Sequence, residues 1–383
     1  MKLEYTAYDS ITRSPNQLLS WKVNYEPFPD AAVAPNLNYS FYKDTIQQGD
    51  LLSMNYAILN INEKPMDSLL INYKIQDDKN KENIVIQKTA PLEVGKKIDA
   101  SFSYDTKNLI GDQQLTVELN PNKSQTENNY LNNLLVKPFY VKGDKINPLL
   151  DVTFDGQHIL NGDIITPTPI ITGTLRDENP FLKLNDTISF KVLLKSPTDN
   201  DVVQIPFDGT ILKFFPSTGT NNKAYFEYKP NLLKDGTYQL IVQAKDISGN
   251  ISGALDYKVN FEIVNKQAIS NFLNYPNPFT TSTRFAYTLT GSESPSAIRI
   301  QIMTISGQIV REITEKELGP LKVGRHLTEY AWDGTDQYGD KLANGVYLYR
   351  VTIQKNNGKS FEPINNEADK FFENGFGKMV ILR

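Results

Sequence analysis

Asn344-Gly345-Val346-Tyr347-Leu348-Tyr349-Arg350-Val351 places Tyr347, Tyr349 and Val351 on one side of an extended chain and Leu348 and Arg350 on the other. A period of two is the signature of a strand with one face buried. The same rhythm lies upstream. Ile298, Ile300 and Ile302 alternate with Arg299 and Gln301, Ser306-Gly307 turns the chain, and Ile309, Arg311 and Ile313 carry it back. Six or seven such strands predict a sandwich over residues 266–383.

Two further runs of short strands precede it. In 36–146, Met54, Tyr56 and Ile58 alternate, as do Leu69, Ile71, Tyr73 and Ile75, then Phe102 and Tyr104, then Leu115, Val117 and Leu119. Polar turn clusters separate them, among them Asn62-Glu63-Lys64-Pro65 and Asp77-Asp78-Lys79-Asn80. In 147–265, Leu150, Val152 and Phe154 alternate before Asp155-Gly156, and Phe190, Val192 and Leu194 form another strand. Asn161-Gly162, flanked by Ile159-Leu160 and Ile164-Ile165, predicts a hairpin. Thr166-Pro167-Thr168-Pro169 puts that stretch at a sheet edge. The fold class expected is all-β, with tandem immunoglobulin-like antiparallel β-sandwiches. Residues 1–35 read as the end of a preceding domain and a connector. There, Trp21 to Tyr25 alternates as a strand, and Pro27, Pro29 and Pro35 surround a linker-like Ala31-Ala32-Val33-Ala34.

Composition narrows the function. Of 383 residues, Tyr is 20, Phe 19, Pro 21 and Gly 22, a balance suited to sheets and turns. The absence of Cys removes any disulfide framework and any thiol nucleophile from this chain. A net charge of -4 gives no reason to expect nucleic acid, which calls for Lys and Arg clustered on one face. No apolar run reaches the roughly 18 residues of a membrane span. Met1-Lys2-Leu3-Glu4-Tyr5 lacks the apolar segment of a signal peptide, which leaves either a cytoplasmic chain or an interior-to-C-terminal piece of a longer exported one, and the abrupt start inside a strand-like phrase favours the piece. No phosphate-binding glycine spacing appears. Neither His158 nor His326 has an acid or nucleophile at motif spacing, and both read as surface turn residues. No catalytic residue and no enzyme are expected. Asp177, Glu178 and Asn179, with Asp186 beyond, offer oxygen ligands of the kind calcium takes. The same residues are ordinary turn formers before Pro180. No other cofactor is expected. Tyr and Phe on alternating positions read as core, with a sugar-stacking platform as the alternative.

The closing stretch carries a resemblance. Tyr275-Pro276-Asn277-Pro278-Phe279, the turn at Gly307, the phrase Asn344-Gly345-Val346-Tyr347 and the Lys378-containing last strand together resemble the C-terminal domain of proteins exported by the type IX secretion system of Bacteroidetes. That type overlaps an immunoglobulin-like domain of flagellar hook-capping proteins, to which Trp332-Asp333-Gly334 is closer. The span 312–330 and the loop 356–376, with a hairpin turn expected at Asn356-Asn357-Gly358, are longer than in compact secretion domains. Val117 to Asn122 followed by Glu127-Asn128-Asn129 and Asn132-Asn133 resembles the end of CARDB domains, and Ala57 to Asn62 their start. Lys234 to Asn250 resembles the last hairpin of bacterial Ig-like domains. The order of modules is similar to the C-terminal half of gingipain-like cysteine peptidases and the PorU sortase group.

This resemblance implies Ig-like spacers followed by a domain recognised by the type IX translocon and by outer-membrane shuttle or attachment proteins of the PorV kind, at the cell surface. Tyr275, Pro276, Asn277, Pro278, Phe279, Gly307, Asn344, Gly345, Tyr347 and Lys378 are the residues it assigns to the signal. The entering prolines are expected to run extended, and the final strand to offer an edge for docking. The alternatives are an adhesin binding glycan or protein, and an accessory region of a PorU-like peptidase supporting signal processing.

Overall fold

The computed structural model describes all residues except Met1, Leu3, Ala7, Asp9, 12–17, Glu293, Pro320, 355–361 and 364–374. The turn expected at Asn356-Asn357-Gly358 and most of the loop after it lie outside the described residues. The chain divides into two compact units, Met1–Asp144 and Lys145–Arg383.

The first unit contains β1 (Ala31–Val33), β2 (Tyr39–Phe41), β3 (Thr45–Gln47), β4 (Leu51–Asn60), β5 (Leu70–Asp77), β6 (Glu82–Lys88), β7 (Lys97–Asp105), β8 (Gly111–Leu119) and β9 (Leu134–Lys142). One sheet joins β1, β2 and β7 to β4; the other runs β3-β9-β8-β5-β6. Alternation places Met54, Tyr56, Ile71, Tyr73, Ile75, Leu115 and Val117 in a shared core. Two segments depart from the sequence expectation. Trp21 to Tyr25 forms no strand and is exposed, because alternation without a neighbouring strand leaves backbone groups unpaired. The linker-like Ala31–Val33 is instead β1, paired with β4. It is held by Glu127, whose buried carboxylate accepts from Ala31 N (2.8 Å), Asn120 Nδ2 (2.6 Å) and Asn133 Nδ2 (2.9 Å). The acid and asparagines of the CARDB-like phrase are thus an internal clamp.

The second unit holds two sandwiches. The first contains β10 (Leu149–Phe154), β11 (Asp163–Ile165), β12 (Ile171–Asp177), β13 (Phe190–Lys195), β14 (Val203–Gln204), β15 (Leu212–Phe215), β16 (Asn222–Tyr228), β17 (Gly236–Ala244) and β18 (Tyr257–Ile263). Its sheets run β10-β12-β16-β15 and β11-β18-β17-β13-β14 around a core of Phe154, Phe226, Leu240 and Phe261. Asn161-Gly162 does turn, but no hairpin follows. β11 pairs parallel with β18, and Asn161 Oδ1 accepts from Asn260 N at 2.8 Å. The asparagine's side chain bonds the distant strand rather than closing a local ladder.

The last sandwich contains β19 (Ala268–Tyr275), β20 (Arg284–Thr290), β21 (Ala297–Met303), β22 (Ile309–Thr314), the short helix α1 (Glu315–Leu318), β23 (Gly324–Leu327), β24 (Gly345–Gln354), β25 (Glu362–Pro363) and β26 (Gly377–Ile381). Its sheets are β23-β20-β19-β25 and β22-β21-β24-β26. The long span 312–330 therefore contributes β23 to the sandwich. The chain is all-β, built of tandem Ig-like sandwiches.

In the first unit, the hydroxyls of Tyr56 and Tyr73 meet at 2.8 Å, with both side chains fully buried. Burial pushes both phenols above their ordinary pKa, so the pair is a neutral bond between cores of the two sheets. Tyr56→Phe leaves a buried hydroxyl unpaired and is expected to cost about 1–3 kcal/mol, as is Tyr73→Phe. The double variant is expected to lose less than the sum, measured by chemical denaturation as a double-mutant cycle.

Candidate functional site: the clamp on the closing strand

β26 is the meeting point of the motif residues. On one side it pairs antiparallel with Gly345–Tyr349 of β24. On the other side, the stretch Tyr275–Phe279 supplies the bonds. Asn277 Nδ2 donates to Lys378 O (2.9 Å), and Asn277 Oδ1 accepts from Val380 N (2.9 Å). Phe279 N donates to Val380 O (3.1 Å), and Leu382 N donates to Phe279 O (2.9 Å). Pro276 and Pro278 have no N–H to give, so the carboxamide between them does the pairing a backbone amide would do elsewhere. The prolines were expected to run extended; both peptide bonds that precede them are cis. The edge of β26 that was expected to be open for docking is thus occupied.

Phe279 anchors this segment. It is buried and tilts over Trp332 with ring centroids 5.7 Å apart. Trp332 is fully buried, its Nε1 donates to Thr335 O (2.9 Å), and its backbone exchanges two 2.8 Å bonds with Thr283. The Asp333-Gly334 turn that follows is local chemistry. The hydroxyl and amide of Thr335 bond Asp333 Oδ1 and hold its carboxyl below the ordinary aspartate value.

A second asparagine closes the far end. Asn344 Oδ1 accepts from Arg383 N (2.8 Å), and its Nδ2 donates to Arg383 O (3.0 Å). The Arg383 guanidinium then donates to the carbonyls of Asp333, Gly334 and Leu342. Tyr347 is buried and donates to Ala343 O (3.0 Å). Within β26 itself, Gly377 is required by packing: a Cβ there would lie 2.2 Å from the ring of buried Tyr349. Of the residues singled out in the sequence, Asn277, Phe279, Asn344, Gly345, Tyr347 and Lys378 lie in or against this clamp. Pro276 and Pro278 shape it, Tyr275 is exposed beside it, and Gly307 stands outside it. Gly307 lies in the β21–β22 turn at φ 88°, and β24 separates that turn from β26. Gly377 and Arg383 bound the closing phrase of the sequence, but sequence reasoning assigned neither a role of its own.

The other candidates resolve as follows. Asp177 and Asn179 are buried, but Asn179 Oδ1 accepts from Phe181 N and Leu182 N. Glu178 is exposed, and Asp186 accepts from Ile188 N to cap a short helical turn. The four residues do not converge on one point; they organise the loop after β12. Asn222, missed in the sequence, ties that loop together by donating to Asn179 O and Leu182 O at 2.7 Å each. The two histidines, read as surface turn residues, line one cleft of about 390 Å³ between the sandwiches of the second unit, and His326 lies on β23 rather than in a turn. Each ring is engaged, His158 Nε2 with Asp151 Oδ1 (2.7 Å) and His326 Nε2 with Val323 O (2.9 Å). Large aromatic side chains that fill the cores include Tyr56, Phe226, Phe261 and Phe285, while others, among them Trp21, Tyr25 and Tyr338, are exposed. Among the described residues no helix is long and apolar enough to cross a membrane.

Residues 274–358 match the family model of the FlgD Ig-like domain. Among curated proteins no relative matches the sequence. The chain is similar to dimeric latent PorU from Porphyromonas gingivalis at 14% identity and TM-score 0.26, over 93% of this chain and 34% of that one. It therefore spans about a third of the length of that protein. A CARDB domain from Pyrococcus furiosus, solved in complex with di-metal ions, is 14% identical with TM-score 0.27, over 32% of this chain and 100% of its own. The FN1-FN3 domains of chicken CNTN1 are 10% identical with TM-score 0.24, over 94% and 100%.

Asn277→Ala removes two bonds to β26 and is expected to destabilise the last sandwich by about 2 kcal/mol, at about 1 kcal/mol per bond. Asn277→Asp keeps the acceptor for Val380 N and is expected to lose about half as much. Hydrogen exchange at the Val380 amide reads both.

Proposed function

We infer that residues 266–383 act as a C-terminal export and attachment domain, carried behind Ig-like spacers in an exported, non-catalytic stretch of chain. The observation that carries this reading is the convergence of the type IX-like phrases on the closing strand. Asn277, Phe279, Asn344 and Gly345 are separated by up to about 70 residues of intervening chain, yet they are bonded or paired to residues 378–383. Resemblance in scattered phrases is thereby explained by one built feature, the end of the chain closed on both edges.

The partners proposed are the type IX translocon and PorV-like outer-membrane proteins, and the location is the cell surface. Such partners would meet a folded surface made of the Asn277 segment, the Asp333-Gly334 turn and Arg383. The parent is proposed to be of the gingipain-like or PorU group, its catalytic part lying elsewhere. The match of 274–358 to the FlgD Ig-like model supports the wider domain type, and the secretion role rests on the phrases outside that match as well, Lys378 above all.

The test is a reporter fused to residues 266–383 in a bacterium with a working type IX system. Delivery to the surface or medium is expected, and periplasmic retention in the paired Asn277→Ala, Asn344→Ala variant. Retention of the unsubstituted fusion would sink the export reading. Equal delivery of both would separate the address from the clamp.

A further inference from the structure

β6, Glu82-Asn83-Ile84-Val85-Ile86-Gln87-Lys88, is the outermost strand of its sheet. Its inner edge pairs with β5 along the whole strand, Gln76 opposite Glu82 and Leu70 opposite Lys88. Among the described residues nothing pairs with its outer edge. Which backbone groups face outward follows from the ladder. Asp77 N bonds Lys81 O, and Thr89 N bonds Leu69 O, so odd-numbered residues of β6 exchange their bonds with β5. The N–H and C=O groups of Glu82, Ile84, Ile86 and Lys88 therefore point away from the sheet. Their side chains share its outer face, where Ile84 is 55% and Ile86 65% exposed. Val85 is turned the other way and packs on the core.

An exposed apolar edge strand of this length is a site for strand addition. Its sequence specifies the partner. Read from Val85 outward, Ile84 matches Ile86, Asn83 matches Gln87, and Glu82 is opposite in charge to Lys88. We propose that β6 pairs antiparallel with β6 of a second copy of this chain, across a two-fold axis at Val85. This register sets the outward-facing groups opposite one another, Ile84 with Ile86 and Glu82 with Lys88, so every free edge amide and carbonyl in the pair is satisfied. Each Glu82 then lies between Lys74 of its own chain, 3.3 Å away, and Lys88 of the other copy. Sliding by one pair either way puts Glu82 or Lys88 opposite an isoleucine and loses the charge match. The association is isologous and joins the two sheets into one.

The experiment is sedimentation of the full 383-residue chain from micromolar to near-millimolar concentration. A reversible dimer is expected. Glu82→Lys and Lys88→Glu should each weaken it roughly tenfold by setting like charges across both ends of the pairing. An equimolar mixture of the two variants should restore it, because every cross-strand pair is then opposite in charge. Ile84→Pro removes an outward amide without touching the β5 ladder, and should abolish the dimer at unchanged thermal midpoint. A chain that stays monomeric throughout, or a dimer indifferent to the charge variants and their mixture, overturns the proposal.

Discussion

The bonding of Gly377–Ile381 on both of its edges is the interaction on which the last sandwich rests. A strand at the rim of a sheet normally leaves half its backbone groups to water. Here β24 takes one edge and the Asn277–Phe279 segment takes the other. A segment with two prolines cannot form a continuous ladder. The carboxamide of Asn277, which both donates and accepts, makes good that loss, and buried Phe279 fixes where the carboxamide sits. The phrase Tyr-Pro-Asn-Pro-Phe is thus a compact unit: the prolines shape the chain, the amide pairs, the ring anchors.

Those bonds join residues 101 and 103 positions apart. Contacts so distant in sequence repay their closure entropy only when most of the intervening sheet is in place. The clamp is consequently a statement that the whole module is folded. The Arg383 fork adds to this, because it ties the chain's last residue to the turn after Trp332 and to Leu342. A partner that reads this end reads tertiary structure and not a linear tail.

Strands whose inward residues are large and apolar were legible from alternation alone, as with Tyr56 on β4 or Tyr349 on β24. Where alternation misled, the missing quantity was a neighbour. Trp21 to Tyr25 has the right period and no strand beside it. Asn161-Gly162 has the right turn, but its bonds go to Asn260 and to a parallel partner. β6 went unread for the opposite reason: the polar run from Asp77 hides its start, and its isoleucines face outward. The site residues were legible as phrases, while their task was not. Nothing in Asn277 or Asn344 announces that each side chain bonds a backbone dozens of residues away, and nothing in spacing brings His158 and His326 to one cleft.

The contrast between sheet rims carries the reasoning one step further. In the β22-β21-β24-β26 sheet of the last sandwich both rims are managed. β26 is sealed by Asn277 and Phe279, and at the opposite rim Gln337 N bonds Val310 O beside β22. In the middle sandwich the rim strands β11, β14 and β15 are three, two and four residues long, too short to template another chain, while the rim strand β10 has six residues. β6 has none of these protections along seven residues, although a proline or an inward charge would have blunted it. Rim strands β7, nine residues, and β10, six residues, are also paired on one edge alone, so an open rim does not by itself name an occupant; the symmetric order of residues along β6 does. The charge order from Glu82 to Lys88 limits that occupant to a strand running the other way with the same order.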